Sequence, residues 1–391
     1  MKFGLLIRIL IAVIAGLVVG TLLPDSLLSI TESARVLLSG VLKFFIPLII
    51  LAFVGAGIAD FKGKIGKLLG VSVALAYVDT VIAIGIAIAI SVLLIPKLVE
   101  FGESATEGNP IPEPFMNMEV EPPLEILTAL MLAFLLGIGA TWDKSKTFRK
   151  LLFEFRDIVM WGVMTILLPL IPFFIFFSFI KLSAEGVVFK NLPLFLGMFL
   201  LVVLMQWGWL IVEYVTAAVF VGRKSPLMLR AMLPAYVTGM ATMSSAVTMP
   251  VALREVKNSG LVSPRIAEFG IPLFNTVHQA AAGIGIAIGA MTVSIVSTGS
   301  LPDLGTLIAF TLLLAVIEVG AVGIPGGSIL ASMGVLTGTL GFGESELALM
   351  LTLFAIQDSF AAAGNVTGDG ALTLLINRFF GNRAKAEEEQ V

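Results

Sequence analysis

The 391-residue sequence contains no cysteine and only one histidine, His278. Without cysteine the chain can form no disulfide, thiol nucleophile or thiolate metal site. A single imidazole also excludes zinc sites that are built from several histidines. Charged residues make up only 13% of the chain, whereas soluble domains carry about a quarter. These shortages exclude thiolate and multi-histidine metal sites and argue against an ordinary soluble domain.

Apolar residues are abundant instead, at 58% of the chain with a mean hydropathy of +1.04. Runs of about 20 apolar residues recur, and each could cross a bilayer as a helix. No strand-like alternation of apolar and polar residues indicates a barrel. We therefore predict an all-α polytopic membrane protein. Its expected spans are 5–23, 36–58, 68–96, 124–141, 150–181, 192–221, 266–297 and 345–380, with interrupted segments at 226–258 and 304–340.

The distribution of Lys and Arg predicts the orientation in the membrane, because cytoplasmic loops are enriched in both. Most of these residues fall on one side of the predicted spans, and the acidic, proline-rich loop Lys97–Glu125 falls on the other. The pattern is consistent only if each interrupted segment returns to the side that it entered from. We expect both termini to be cytoplasmic and the protein to lie in the cytoplasmic membrane.

The two interrupted segments combine proline, glycine and small hydroxyl residues. The first contains Thr238–Pro250, where Pro250 should disfavour helix at Met249, and the second contains Gly320–Ser328. Non-helical backbone at membrane depth persists only where it is buried in protein or lines a wet cavity. Two such breaks in corresponding halves are typical of a transporter's central site. The alternative is a pair of proline-kinked spanning helices.

A row of polar residues, Asp358, Asn365 and Asp369, lies within an otherwise apolar stretch. Their spacing places all three on one helix face. Ionisable groups inside a membrane are costly and usually line a polar pathway. We expect the solute and its coupling cation to bind along this polar row.

These motifs together resemble the dicarboxylate/amino acid:cation symporter family, which has the glutamate transporter fold. The resemblance is carried by Ser244–Pro250, by Gly323–Gly327, and by Asp358 with the run Asn365-Val366-Thr367-Gly368-Asp369. It implies eight transmembrane helices, two re-entrant helical hairpins, inverted repeats, a homotrimer and an elevator-type movement. It also implies an amino-acid substrate, contact with membrane lipid, no nucleic-acid partner and no cofactor besides a coupling ion.

The same resemblance suggests a division of the chain into four parts. These are 1–58 (scaffold helices 1–2), 59–123 (helix 3 and the acidic loop), 124–225 (scaffold helices 4–5 and helix 6) and 226–391 (the transport core with both hairpins).

The family also suggests which residues contact the substrate. In members that take acidic substrates, an Arg at the position of Ala361 grips the second carboxylate, and its Asp partner stands at Phe354. Because this chain lacks both, we predict a neutral, apolar or aromatic, amino acid. The predicted substrate contacts are Ser244, Ser245, Thr276, Gly326, Asp358, Ala361, Ala362 and Asn365.

Three other functions remain open. The first is a dicarboxylate or acidic amino acid symporter whose cation comes from another helix. The second is an uncoupled transporter or an anion-conducting channel. The third is an enzyme that uses Ser244, Ser245 and His278, which is disfavoured because no third orienting group is evident.

The predicted seventh helix departs further from the family. The family's unwinding motif falls at His278–Ala282, so that Ala280 replaces its sodium-binding Asp, while Asp79 appears in the third helix. An imidazole beside a carboxylate could exchange a proton near neutral pH, or could simply replace a lost ion. Proton or mixed coupling, sodium coupling and no coupling all remain open.

The predicted cation or proton site comprises Asp79, Thr80, His278, Asn365 and Asp369, with sodium possible at Asp369 and the backbone near Asn365. Two other acidic residues, Glu213 and Glu318, stand in apolar surroundings, and we expect them to be paired or to reach an interface. The alternative for Glu318, which directly precedes the second glycine-rich segment, is a role at the site.

Overall fold

A computed structural model describes residues 5–60, 66–100, 111–116, 121–140, 146–321 and 323–388. Every regular element in these ranges is a helix, as predicted. Much of the acidic loop, 101–110 and 117–120, lies outside the described residues, so the side of the membrane on which it lies stays a prediction. The helices are α1 (Leu5–Leu22), α2 (Asp25–Ile49), α3 (Gly55–Asp60), α4 (Gly66–Glu100), α5 (Ile126–Ala140), α6 (Lys146–Gly162), α7 (Leu168–Ala184), α8 (Val187–Val221), α9 (Lys224–Thr242), α10 (Ser245–Asn258), α11 (Pro264–Val277), α12 (Ala280–Thr298), α13 (Leu304–Gly320), α14 (Gly327–Leu340) and α15 (Glu344–Glu388).

Several of these helices are long and apolar enough to cross a membrane. Six such stretches occur among the described residues: Ser26–Phe53, Leu68–Leu98, Lys146–Ala184, Pro193–Val221, Pro264–Thr298 and Glu344–Gly381. Shorter apolar helices accompany them. Turns of π-helix at Ile50–Val54 and Val163–Leu167 join α2 to α3 and α6 to α7. The multi-span helical class is confirmed, and the number of crossings stays a prediction.

The second helix begins earlier than we predicted, at Asp25 rather than at residue 36. The segment between these positions looked too polar for a span because it contains Glu32 and Arg35. In the structure Glu32 and Arg35 form an ion pair with a 2.6 Å N–O distance, and Arg35 also pairs with Glu344 of α15 at 2.7 Å. The charges therefore compensate each other inside the protein, and the helix continues through them.

The helices form two groups, and the second of them surrounds a buried centre that consists of α12 and α15. The helices α1 and α2 pack on α7, whereas α4 and α8 pack on α12 and α15. Almost every residue of α12 is buried, as expected for a helix that is apolar on all sides. Because α4 and α8 also pack on this centre, polar groups from distant parts of the chain can meet there.

Both interrupted segments are helix pairs that pack against each other, α9 with α10 and α13 with α14. The first break lies at Met243 and Ser244, within the predicted stretch Thr238–Pro250, but Met249 is helical, so the prediction that Pro250 disfavours helix there is wrong. Met243 has a left-handed backbone (φ 53°), and the Ser244 hydroxyl accepts a hydrogen bond from the Val247 amide at 3.3 Å. Pro250 instead lies inside α10, because the hydroxyl cap starts the new helix before the proline.

The second break lies where we predicted it, between Gly320 and Gly327. Gly326 has a left-handed backbone (φ 73°), which favours glycine. Whether both helix pairs re-enter from the same side of a membrane stays a prediction.

Candidate functional site

The tips of the two helix pairs meet. The Ser244 hydroxyl donates a hydrogen bond to the Gly323 carbonyl at 2.6 Å, and the Ala246 amide donates to the same carbonyl at 3.0 Å. Ser245 is buried, and its carbonyl accepts a hydrogen bond from the Asn275 side chain at 3.0 Å. The two tips are thus in contact, which we call the closed state, and the two serines predicted to contact substrate lie at their junction.

Asp358 lies directly beneath the second tip. Its Oδ2 accepts a hydrogen bond from the Gly326 amide at 2.8 Å, and the residue is only 6% exposed. The structure thus brings together two residues that we predicted to contact substrate. Asp358 has no ion pair with any Lys or Arg of the described ranges, and the Gly326 amide is its polar partner.

The residues that distinguish this chain from acidic-substrate members form an apolar surface. Ala361 is fully buried and Phe354 is 2% exposed, and both belong to the same hydrophobic cluster. Ala362 and Ala363 pack against Gly239 of α9, where an added Cβ would lie only 2.9 Å from the Ala363 Cα. This close approach fixes α9 against α15 next to the apolar surface.

Thr276 differs from the other predicted contacts, because it is exposed and its hydroxyl donates to the Pro272 carbonyl of its own helix at 3.0 Å. Thr276 forms no hydrogen bond with the other predicted substrate contacts, all of which lie in the described ranges.

Asn365 organises the break between α11 and α12. Its Oδ1 accepts hydrogen bonds from the Ala281 amide at 2.9 Å and the Ala282 amide at 3.3 Å, and its Nδ2 donates to Gln279. A helix leaves its first amides without internal partners, so Asn365 supplies the missing acceptor. The predicted unwinding at His278 and Gln279 is confirmed, since neither residue is helical.

We predicted that the backbone near Asn365 takes part in a cation site, which requires carbonyl groups that are not used inside a helix. The helix α15 runs without a break from Glu344 to Glu388, so its carbonyls there are part of a helix. The break lies in the facing junction between α11 and α12, and any carbonyl ligands for a cation would come from that side.

His278 lies among three carboxylates. Its Nδ1 is 3.1 Å from Asp369 Oδ1, and its Nε2 is 3.0 Å from Asp79 Oδ2 and 3.5 Å from Glu213 Oε1. The imidazole is fully buried, and Trp209 Nε1 donates a further hydrogen bond to Asp79 at 3.1 Å. We call Asp79, Glu213, His278 and Asp369 the imidazole cluster. The predicted meeting of Asp79 with His278 is present, and Thr80 beside it is buried with no hydrogen-bond partner for its hydroxyl.

Glu213 is the member of this cluster that our sequence analysis did not assign. We expected it to be paired or to reach an interface, and it is paired with His278 and only 6% exposed. Gly368 allows its approach, because a Cβ at that position would lie 2.4 Å from Glu213 Oε2. A signal was present in the sequence: Gln206, Trp209 and Glu213 follow helical spacing and form one polar face of α8.

Gln206 belongs to a second buried network on the same face. Its side-chain amide donates to the Ala281 carbonyl at 2.9 Å and to Gln357 Oε1 at 2.6 Å. Gly285 leaves room for Gln357, since an added Cβ would lie 2.2 Å from Gln357 Nε2. These contacts join α8, α12 and α15 beside the break.

The imidazole cluster requires a shared proton. Each ring nitrogen of His278 faces a carboxylate oxygen at hydrogen-bond distance, and each such contact needs a hydrogen between its two atoms. A neutral imidazole supplies only one, so the second sits on the ring or on a carboxyl group. Ligand atoms of Asp79, Glu213 and His278 also lie within 4.8 Å of one another, a spacing that suits a single cation. The cluster is thus suited to hold a proton or a cation.

Comparison with known proteins identifies the class of this chain. A family model described as the sodium:dicarboxylate symporter family matches residues 5–379. The chain therefore belongs to the sodium:dicarboxylate symporter family, whose members are transporters and not enzymes. Its helices make it a multi-pass membrane protein, and the family implies coupling to sodium.

Individual relatives include transporters named for two kinds of substrate. Neutral amino acid transporter A of Homo sapiens is 28% identical over 169 residues, which are 43% of this chain and 31% of that protein. Excitatory amino acid transporter 5 of Homo sapiens is 27% identical over 151 residues, 38% of this chain and 27% of that protein. The putative sodium-dependent excitatory amino acid transporter glt-4 of Caenorhabditis elegans is 27% identical over 161 residues, 41% and 32% of the two chains. Each match spans about a third or less of the relative's length.

Proposed function

We propose that this protein is a secondary active transporter that carries a neutral amino acid together with a coupling cation across the cytoplasmic membrane. The observation that carries this proposal is the pairing of a buried carboxylate with an apolar surface. Asp358 lies beneath the tip at Gly326, and Ala361 and Phe354 lie on the same helix. A carboxylate suits the α-ammonium group that every amino acid carries, and an apolar surface suits an uncharged side chain.

The lack of a basic partner favours neutral over acidic substrates. A second substrate carboxylate would be buried without a cation, which is strongly unfavourable. The names of the relatives do not decide the matter, because they include both neutral and excitatory amino acid transporters. The local residues at positions 354 and 361 therefore carry the argument for an apolar or aromatic side chain.

The imidazole cluster provides the coupling site of this proposal. Two of its carboxylate oxygens, one on Glu213 and one on Asp369, have no hydrogen-bond partner. These oxygens are available to a sodium ion or to a proton, and the proton that His278 shares is available for exchange. We propose that the cluster couples transport to a proton, to sodium or to both, with Asp369 as its carboxylate on the helix that also carries Asp358.

The transport cycle is completed by an elevator-type movement, which the family resemblance implies. The closed contact between Ser244 and Gly323 would have to open on at least one side to admit the substrate. The proposal includes a homotrimer, eight membrane crossings and cytoplasmic termini.

Uptake into proteoliposomes tests the proposal. The purified full chain is reconstituted and offered a panel of neutral, acidic and basic amino acids under separately imposed sodium and proton gradients. We expect accumulation of one or more neutral amino acids and a dependence on at least one gradient. Preferential uptake of aspartate or glutamate over every neutral amino acid would contradict the substrate assignment, and uptake that ignores both gradients would contradict the coupling.

A further inference from the structure

Glu318 is a buried carboxyl group that the proposed substrate and coupling sites do not use. It lies near the end of α13, just before the loop at the second tip, and it is fully buried. Its Oε1 accepts a hydrogen bond from the Ser332 hydroxyl of α14 at 3.0 Å, whereas no well-formed hydrogen bond reaches its Oε2, although the Ser328 hydroxyl of the same helix also interacts with the carboxyl group. A buried polar oxygen without a partner requires a physical explanation.

Among the described residues, no positively charged group acts on Glu318. The adjoining helices α12 and α14 contain no ionisable residue. Asp79 of α4 is bonded to His278 and Trp209, and Glu268 of α11 pairs with Lys257. The remaining charged group that acts on Glu318 is Asp358 of α15, which carries the same sign. An ionised Glu318 would thus be an uncompensated buried charge beside a second one.

Neutralisation by a proton removes this conflict. A hydroxyl can both donate and accept, so Ser332 can donate to the carboxylate or accept from the carboxylic acid. The Ser332 contact is therefore satisfied in either protonation state. Ionisation becomes favourable once water reaches the group and solvates the charge.

The position of Glu318 ties this protonation to the second tip. Glu318 lies just before the second tip, and the Gly326 amide at the end of this tip donates a hydrogen bond to Asp358. The middle of the tip is held by Ser244, which donates to the Gly323 carbonyl. While these contacts are closed, the carboxyl group has no exposure to water. Opening of the pair α13–α14 is the movement that would hydrate it.

We propose that Glu318 is a second protonation site, separate from the imidazole cluster, whose proton is bound while the tip is closed and is released to water when the tip opens. The reaction is a reversible proton transfer between the carboxyl group and solvent. Its place in a transport cycle rests on the proposed function, but the protonation itself does not.

Infrared spectroscopy of the purified full chain tests the site without any substrate. A protonated carboxyl group has a C=O stretching band that an ionised one lacks, so the spectrum is recorded across a pH series. We expect Glu318→Gln to lose part of this band at neutral pH, and Glu268→Gln, a matched change of a mostly exposed glutamate, to leave it intact. Superimposable carboxyl bands in the parent and in Glu318→Gln would overturn the proposal.

Ser332→Ala provides a second measurement that keeps Glu318 in place. Loss of the hydroxyl removes the hydrogen bond that Ser332 makes to the Glu318 carboxyl group. We therefore expect the C=O band of Glu318 to move to higher frequency and the half-point of the Glu318 titration to move to higher pH. A band that keeps its frequency and its half-point in this variant would show that the protonated group is not Glu318.

The link to the tip is tested by a reversible crosslink. A Cβ on Gly323 would lie 3.0 Å from the Ser245 Cβ, close enough for a disulfide after a small adjustment, and the chain has no other cysteine. We expect oxidised Ser245→Cys/Gly323→Cys to retain the Glu318 proton at alkaline pH and the reduced protein to lose it. Identical titrations in the two forms would overturn the link. Because these readouts need no amino acid, they stand even if the transported solute proves to be different.

Discussion

We propose that Asp358 binds two partners, the Gly326 amide while the tips are closed and the substrate's ammonium group during transport. The variant Asp358→Asn retains a carbonyl oxygen for the Gly326 amide but removes the negative charge. We expect it to fold and to bind substrate more weakly by roughly 1.5–3 kcal/mol, or about ten- to a hundredfold. Calorimetric titration of the purified protein measures this difference, and an unchanged affinity would refute the role of Asp358.

Side-chain selectivity should depend on Ala361 and Phe354. They stand two turns apart on α15, both are buried, and neither offers a polar atom. We expect the double variant Phe354→Asp/Ala361→Arg to favour acidic over neutral amino acids, because the new ion pair presents a cation that is held by its own counter-charge. Competition uptake with aspartate and a neutral amino acid measures the change.

The single variant Ala361→Arg is the control for this prediction. Its guanidinium would face an apolar neighbour and lack a partner to orient it, so we expect a smaller shift in preference together with lower stability. A double variant that still rejects acidic substrates would show that selectivity is determined elsewhere.

The junction between α11 and α12 depends on one side chain from a distant helix. Asn365→Ala would leave the Ala281 and Ala282 amides buried without an acceptor, at a cost of about 1–3 kcal/mol in stability. We expect a lower midpoint of thermal unfolding, measured by tryptophan fluorescence in detergent.

Asn377→Ala is a matched control on the same helix. Asn377 accepts a single hydrogen bond, from the Ser263 amide at 3.1 Å, and water can reach this site. We expect a clearly smaller effect there. Equal destabilisation by the two variants would mean that Asn365 is not the principal support of the break.

Breaks made by local chemistry were predictable from the sequence, and contacts made across the fold were not. The break before Gly327 is caused by the glycines and proline at that position, so the local motif predicts it. The unwinding at His278 was predicted only through the family resemblance, because it depends on Asn365 from another helix. The start of α2 was misplaced because Arg35 finds Glu344, a residue 309 positions away, and that contact allows a charged segment to be helical. Glu213 escaped assignment for the same reason, since its partner His278 is on another helix.

The spacing of the polar row does not show which element each of its residues contacts. Its three residues do lie on one buried helix, but each contacts a different element: Asp358 the second tip, Asn365 the start of α12, and Asp369 the imidazole of His278. The helix α15 thus connects the proposed substrate and coupling sites through one rigid backbone. A change of charge at either site would act on elements that share this helix.

Coupling in the whole molecule should depend on whether His278 exchanges its shared proton. The variant His278→Gln preserves a hydrogen-bonding side chain but removes the ring that bridges Asp79 and Asp369. If the imidazole cluster is the proton carrier, the parent should accumulate substrate under an imposed pH gradient without sodium. The variant should bind substrate yet lose this accumulation, because its amide does not titrate near neutral pH.

Proteoliposome uptake with each gradient imposed alone separates the remaining possibilities. Glu268→Gln, which alters a mostly exposed ion pair with Lys257, is the matched control and should behave as the parent does. Accumulation that requires sodium and ignores pH, in both the parent and His278→Gln, would mean that the imidazole permanently replaces an ion. In that case the two unpartnered oxygens on Glu213 and Asp369 would remain as the ligands for sodium, and Asp369→Asn should flatten the dependence of uptake on sodium concentration.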